Sequence, residues 1–188
     1  MSIGGTNPRP GRSADNTKRS VTSKKRSPPT SGGGVKVGLA VSRKSNGRGN
    51  VTLRTTIPSI NAASQAVQKR ILEAVEQSGF TPHSTFAIKL ALEEAMINAI
   101  KHGNKQDPKK NVHIQATVTP KEAQITIEDE GPGFDRAAVP DPTLEENREK
   151  CSGRGILLIE SYMNSVKWSQ NGRRLQMVKR NGEEPGAH

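Results

Sequence analysis

One segment constrains this chain more than any other. It is Phe86–His102, which reads Phe-Ala-Ile-Lys-Leu-Ala-Leu-Glu-Glu-Ala-Met-Ile-Asn-Ala-Ile-Lys-His. A helix advances about 100° per residue, so Glu94, Asn98 and His102 fall on a stripe about 80° wide. Ala87, Ala91 and Lys101 interleave with them on that arc, while Phe86, Ile88, Leu90, Leu92, Met96, Ile97 and Ile100 fill the rest of the circumference. A helix that is apolar nearly all round is expected to be buried. A carboxylate, an amide and an imidazole buried on one line without partners would cost several kcal/mol. Small alanines beside them leave room for a ligand, and the stripe is the first sign of an active site. Lys89 and Glu93 lie outside it, so an exposed polar edge is the competing reading of this segment taken alone.

Charge divides the chain. Residues 1–50 hold 11 of the 29 Lys and Arg and a single acidic residue, Asp15, so +10 of the net +11 resides there. This stretch is rich in Gly, Ser, Thr and Pro and carries runs such as Lys24-Lys-Arg26 and Gly32-Gly-Gly34. It cannot bury enough apolar surface to offset its ordering entropy, and a disordered basic tail is expected over 1–50. Val35–Val41, whose apolar residues alternate, is the one part suited to a short strand. Contact of the tail with nucleic acid would be non-specific and salt-sensitive, because no aromatic platform accompanies the charge. The chain has no apolar run of spanning length and no charged start leading into a signal core, so no membrane span is expected and the compartment expected is the cytoplasm. A lone Cys151 rules out an internal disulfide and fits a reducing compartment. His83, His102, His113 and His188 are scattered and lack zinc-site spacing.

The remainder reads as one domain over 51–182, followed by a short tail at 183–188. Val51–Ile57 alternates and predicts a strand closed by Pro58. Ser59 or Asn61 can cap a helix running to about Ser78, with Gly79 as its stop. Pro82 stands near the start of the striped helix, which is expected to end at Gly103-Asn104. Strands follow at Val112–Val118 and Ala123–Ile127, joined by a turn around Pro120–Glu122. After Asp129–Phe134 and a polar stretch to Ser152, Gly153-Arg-Gly155 opens a short helix through about Met163. Ser165–Trp168 and Leu175–Val178 form a final hairpin around Asn171-Gly172. The order β-α-α-β-β-loop-α-β-β predicts an α+β two-layer sandwich, its helices covering one face of a mixed, mostly antiparallel sheet.

Two glycine segments could serve a ligand, though neither is strong alone. Asp129-x-Gly131-x-Gly133 follows a strand; its carboxylate can accept from an exocyclic amine, and its glycines allow close approach of backbone. An ordinary strand-ending turn would use the same residues. Gly153-Arg-Gly155 before a helix offers free N–H groups and a positive dipole end to a phosphate.

Taken in order, Glu94-x-x-x-Asn98 on a helix, Asp129-x-Gly131-x-Gly133 after a strand, a variable lid and Gly153-x-Gly155 at a helix start resemble the GHKL ATPase fold. Within it, Glu94–Gly103 and Ser152–Ile159 are most similar to the anti-sigma-factor serine/threonine kinases, and the resemblance spans residues 51–180. It implies a protein that binds ATP with Mg²⁺. Asn98 would ligate the ion, which prefers hard oxygen donors, and Glu94 would be the general base. Asp129 would accept from the adenine amino group, Gly131 and Gly133 would make space for the ring, and Gly153, Arg154 and Gly155 would face the phosphates. His102 would hold the helix end, and Cys151 would be incidental in the lid. Many relatives carry Gly-x-Thr in the last hairpin, where this chain has Asn171-Gly-Arg-Arg-Leu175; either Arg173 or Arg174 could substitute as a charge partner.

The resemblance further implies phosphorylation of a Ser or Thr on a STAS-type anti-anti-sigma protein, sequestration of a sigma factor, and assembly as a homodimer. Phosphoryl transfer asks mainly for positioning and charge neutralisation. An alternative within the same fold is an ATP-gated binding module with little or no transfer. A sensor histidine kinase core would need an upstream helix with a phospho-accepting His, which is missing here. Eukaryotic-type kinase signatures are also absent.

Overall fold

The computed structural model describes residues 44–46, 49–135 and 154–183, all within one compact unit, Lys36–His188. Val35–Val41, the polar stretch before Ser152, Cys151 and Gly153 lie outside the described residues. Among the described residues six strands form one sheet: β1 (Lys44–Asn46), β2 (Asn50–Pro58), β3 (Asn111–Val118), β4 (Glu122–Asp129), β5 (Ser165–Ser169) and β6 (Arg174–Arg180), in the order β1-β2-β3-β4-β6-β5. Every neighbouring pair is antiparallel. Pairing begins with Lys44↔Thr52, inside the segment that composition assigns to the tail. A backbone ladder needs no apolar side chains to form there.

Period-2 alternation gives the sheet one apolar face. Leu53, Ala116, Ile125, Met177 and Val166 stand side by side across β2, β3, β4, β6 and β5. The next row along the strands is Thr55, Ile114, Ile127, Leu175 and Trp168. Three helices cover this face: α1 (Asn61–Gln77) on β2 and β3, α2 (Pro82–Ile97) on β6, and α3 (Arg154–Tyr162) on β5, with α2 packed between α1 and α3. The α+β sandwich expected from the order of elements is the fold observed. Among the described residues no helix is long and apolar enough to cross a membrane.

The helix starts and ends differ in part from expectation. Neither Ser59 nor Asn61 caps α1; its N-cap position is Ile60, with no side-chain bond. Ser59 turns instead to the far end of β3's approach, donating to the Lys110 carbonyl at 3.0 Å and accepting from Asn104 Nδ2 at 2.7 Å. Thr81 caps α2 by accepting from the Ser84 N–H at 3.1 Å, with Pro82 in the first turn where its missing N–H costs nothing. The striped helix does not run on as α-helix to Gly103. After Ile97 it widens into a π-helical turn, Asn98–Gly103, in which the Asn104 N–H reaches back five residues to the Ala99 carbonyl at 2.8 Å. Nor is α2 buried all round. Phe86 and Ile97 are 51% and 40% exposed, on the flank that also carries Lys89 and Glu93, because the sheet and the other helices leave that flank uncovered.

Candidate active site

The alternation that buries Ile125 and Ile127 under the helices carries the next residue on the same face, Asp129, to the helix side at the end of β4. There the covering layer changes from α-helix to π-turn. A cavity of about 330 Å³ opens between the C-terminal half of α2, the start of α3 and the ends of β4, β5 and β6. That volume is within the usual range for small-ligand sites. Glu94, Asn98, Asp129, Gly133 and Gly155 all line it.

Asp129 is fixed at close quarters. Its backbone N–H donates to the Arg173 carbonyl at 3.1 Å, extending the β4–β6 ladder, and its Oδ1 accepts from the Gly131 N–H at 2.8 Å. A Cβ at Gly103 would fall on the Asp129 carboxylate, so the π-turn can pass over the carboxylate only as glycine. Burial pushes the Asp129 pKa above the ordinary carboxylate value. The Gly131 N–H and the charges of Arg173 and Lys110 pull the other way, and Glu128 adds a further upward push. Gly131 itself is buried against the Gly103 carbonyl, off the cavity lining.

At the opposite end stand Glu94 and Asn98, one helical turn apart. The phase inferred from periodicity holds: Glu94 lines the cavity, whereas Glu93 is exposed and does not. The start of α3 comes in over both. A Cβ on Gly155 would lie 2.5 Å from Glu94 Oε2 and 3.7 Å from Asn98 Oδ1, so residues 61 positions apart in sequence, Glu94 and Gly155, meet at one point. Asn98 Nδ2 is buried and has no hydrogen-bond partner, a state that structures avoid unless a ligand or water supplies the bond. Arg154 opens α3 and is exposed, off the cavity lining. His102 is exposed at the rim of the cavity.

Several residues of the site carry no signal strong enough to single them out in the sequence. Phe134 and Trp168 both line the cavity, with ring centroids 5.2 Å apart at 75°. Lys105 stands at the rim with φ +57, a left-handed conformation uncommon for a residue with a side chain. Asn104 is buried behind the cavity and ties three elements together. Its Nδ2 donates to Ser59 Oγ and to the Asn111 carbonyl at 2.8 Å, and its Oδ1 accepts from the Glu130 N–H at 2.8 Å. The strand pleat also separates the two arginines. Arg173, opposite Asp129, lines the cavity, while Arg174 points to the other face beside Glu128 at 3.7 Å.

Residues 57–179 match the family model of the histidine kinase-like ATPase domain. Among curated proteins, the chain is similar to the anti-sigma F factor of Oceanobacillus iheyensis, 39% identical over 82 residues, covering 42% of this chain and 56% of that protein. It is similar also to the anti-sigma F factor of Clostridium perfringens strain 13, 39% identical over 88 residues covering 42% and 58%, and to that of Shouchella clausii, 36% identical over 83 residues covering 43% and 56%. The chain thus spans just over half the length of these relatives.

Proposed function

The chain belongs to the histidine kinase-like ATPase domain family, and on that premise we propose that it binds Mg-ATP and transfers the γ-phosphoryl group to a Ser or Thr of a STAS-type anti-anti-sigma protein. In the same reading it sequesters a sigma factor and acts in the bacterial cytoplasm as a homodimer. The observation that carries the proposal is the convergence of Glu94, Asn98 and the Gly155 backbone at one end of a cavity whose other end holds Asp129. Such a cavity has a carboxylate acceptor for a base amine at one pole and a helix start for phosphates at the other. The names of the similar proteins, anti-sigma F factors, support the regulatory part of the reading.

The residues present fit a magnesium ion. Asn98 offers a hard oxygen donor, Oδ1, for the ion, while its Nδ2, which has no hydrogen-bond partner, would be left to donate to a nucleotide oxygen. Among the described residues no three His, Cys, Asp or Glu side chains converge, so an ion here would rely on Asn98 together with oxygens of the nucleotide. When bound, it would supply charge neutralisation at the phosphates. Glu94 is the general base: its carboxylate takes the proton of the acceptor hydroxyl as that oxygen bonds to the γ-phosphorus and the bond to the ADP oxygen breaks. Asp129 orients the base, and Gly155 lets the backbone of α3 close on Glu94. Phosphorylated product leaves more readily through like-charge repulsion and desolvation.

Radiolabelled ATP, Mg²⁺ and the STAS-domain proteins of the source genome test the proposal together. Labelled Ser or Thr on one of them is the expected result. Tight ATP binding with no transfer to any partner would instead favour an ATP-gated binding module, a reading that the departure at Asn171–Leu175 from the usual Gly-x-Thr supports.

A further inference from the structure

Asn104 is 0% exposed and lies behind the cavity, between Gly103 and Lys105, which both line it. Its main chain belongs to the helical wall. The N–H closes the π-turn on the Ala99 carbonyl at 2.8 Å, in the turn that begins with Asn98. Its side chain belongs to the sheet wall. Oδ1 accepts from the N–H of Glu130, the residue next to Asp129, at 2.8 Å. Nδ2 donates to the Asn111 carbonyl, and the Asn111 N–H donates in turn to Glu130 Oε2 at 2.9 Å. Asn104, Asn111 and Glu130 thus close a ring of hydrogen bonds at the end of β4.

The loop from the π-turn to β3 has bonds of its own and does not need this side chain to keep its shape. The Asp107 N–H donates to the Asn104 carbonyl and the Lys110 N–H to the Asp107 carbonyl, both at 3.1 Å. Asp107 Oδ1 accepts from the Lys109 N–H at 2.9 Å. The backbone is also strained to bring Asn104 into place. Lys105 and Gln106, directly after it, have φ +57 and +58, a left-handed conformation that a side chain disfavours and that persists only where the surroundings fix it.

We propose that Asn104 is a positioning residue that sets the separation between the phosphate pole, at Glu94 and Asn98, and the base pole, at Asp129. The inference rests on the nucleotide reading above. A ligand that spans both poles gains from both only if their spacing matches its own length. A misplacement of about 1 Å can cost about 10²-fold. A ligand that reaches one pole is indifferent to the spacing. Asn104 touches neither kind of ligand and acts through the two backbones that it joins.

Calorimetry on the full chain with Mg-ATP, adenosine and Mg-tripolyphosphate reads the difference. Asn104→Ala should weaken ATP binding by up to about 10²-fold and leave adenosine and tripolyphosphate, each taken alone, near their wild-type affinities. Ser59→Ala removes the Asn104 bond that points away from both poles; it should lower the thermal midpoint and leave ATP affinity unchanged. Proportional losses of all three ligands in a folded Asn104→Ala protein would overturn the proposal, making the residue merely structural. Unchanged ATP affinity would overturn it as well, as would a selective loss of ATP in Ser59→Ala. A further test needs no variant to fold. In the wild type without nucleotide, the Glu130 amide should resist hydrogen exchange as well as the amides paired between β3 and β4, and exchange at the open-chain rate would show that the strut does not persist and overturn the proposal. Failure of the wild type to bind ATP would be a distinct result, removing the nucleotide reading and this inference with it.

Discussion

On the helical wall of the cavity, Glu94 in the last turn of α2 and Asn98 at its C-cap, where the π-turn begins, stand one turn apart and are placed by one continuous stretch of helix. On the sheet wall, Asp129, Trp168 and Arg173 arrive from the ends of β4 and β5 and from the turn before β6, and their meeting depends on two strand registers. The helical wall is therefore local and rigid: its geometry follows from 3.6 residues per turn. The sheet wall is assembled at long range, and the charge it carries is penalised by burial. One wall is suited to chemistry that needs a fixed carboxylate, the other to recognition that tolerates small adjustments. Substitutions on the two should accordingly fail in different ways.

The largest effect is expected on the helical wall. Glu94→Ala should keep Mg-ATP binding near the wild-type level and slow phosphoryl transfer by about 10²–10⁴-fold, the usual worth of a positioned acid–base group. Glu93→Ala removes the same charge from the adjacent, exposed position and should leave transfer within a few-fold of wild type. Single-turnover transfer with matched nucleotide occupancy measures both. Greater damage from Glu93→Ala would exchange the two roles and break the contrast between the walls at its first step.

Asp129→Asn should act in the opposite sense, on binding and not on the transfer step. An amide presents a donor where an acceptor is wanted, a mismatch on the order of 2–4 kcal/mol, or about 30- to 1000-fold in ATP affinity. Folding should not suffer. The folded pKa of Asp129 lies above its unfolded value, chiefly because of burial. Its ionised form is thus less favourable in the fold than in the open chain. That cost is fully present above the folded pKa and relieved as pH falls through it toward the unfolded value. Asn removes the charge and can still accept the Gly131 N–H, so the thermal midpoint at neutral pH should equal or exceed that of the wild type. A clear loss of midpoint would show that Asp129 holds the sheet together and does not merely read a ligand.

How much of this was legible in the sequence follows the same division. Periodicity alone placed Glu94 on the cavity and Glu93 off it, because both sit in one helix. Asp129 could be suspected from its glycines, yet an ordinary turn would look the same until β4 was known to bury Ile125 and Ile127 on the same face. Trp168 and Phe134 were silent: their contact depends on the β5–β6 register and on a turn at Asn171-Gly172 that admits a ring. Asn104 was readable only as a helix end, since its partners, Ser59, Asn111 and Glu130, are named by tertiary structure. The π-turn at Asn98–Gly103 was hidden too. Its last residue, Gly103, passes against the Asp129 carboxylate, a contact that no local pattern announces.

The smallest effects distinguish the two arginines of the last hairpin, which the sequence left equivalent. Arg174 faces away from the cavity, and its exposed pairing with Glu128 at 3.7 Å should be worth about 0–1 kcal/mol. Arg174→Ala should leave ATP affinity unchanged. Arg173 lines the cavity opposite Asp129 and is among the charges that hold the Asp129 pKa down against burial. Arg173→Ala should therefore raise that pKa further and weaken ATP binding by about 2- to 10-fold, an effect on the order of 1 kcal/mol. The loss should grow as pH is lowered, because the carboxylate is protonated at a higher pH than in the wild type. Calorimetric titrations of both variants at several pH values read the difference. If Arg174→Ala proves the more damaging, β6 is shifted by one residue against β4. A one-residue slip exchanges the faces of every side chain on the strand, so it would remove Leu175 from the cavity and turn Arg173 away from Asp129.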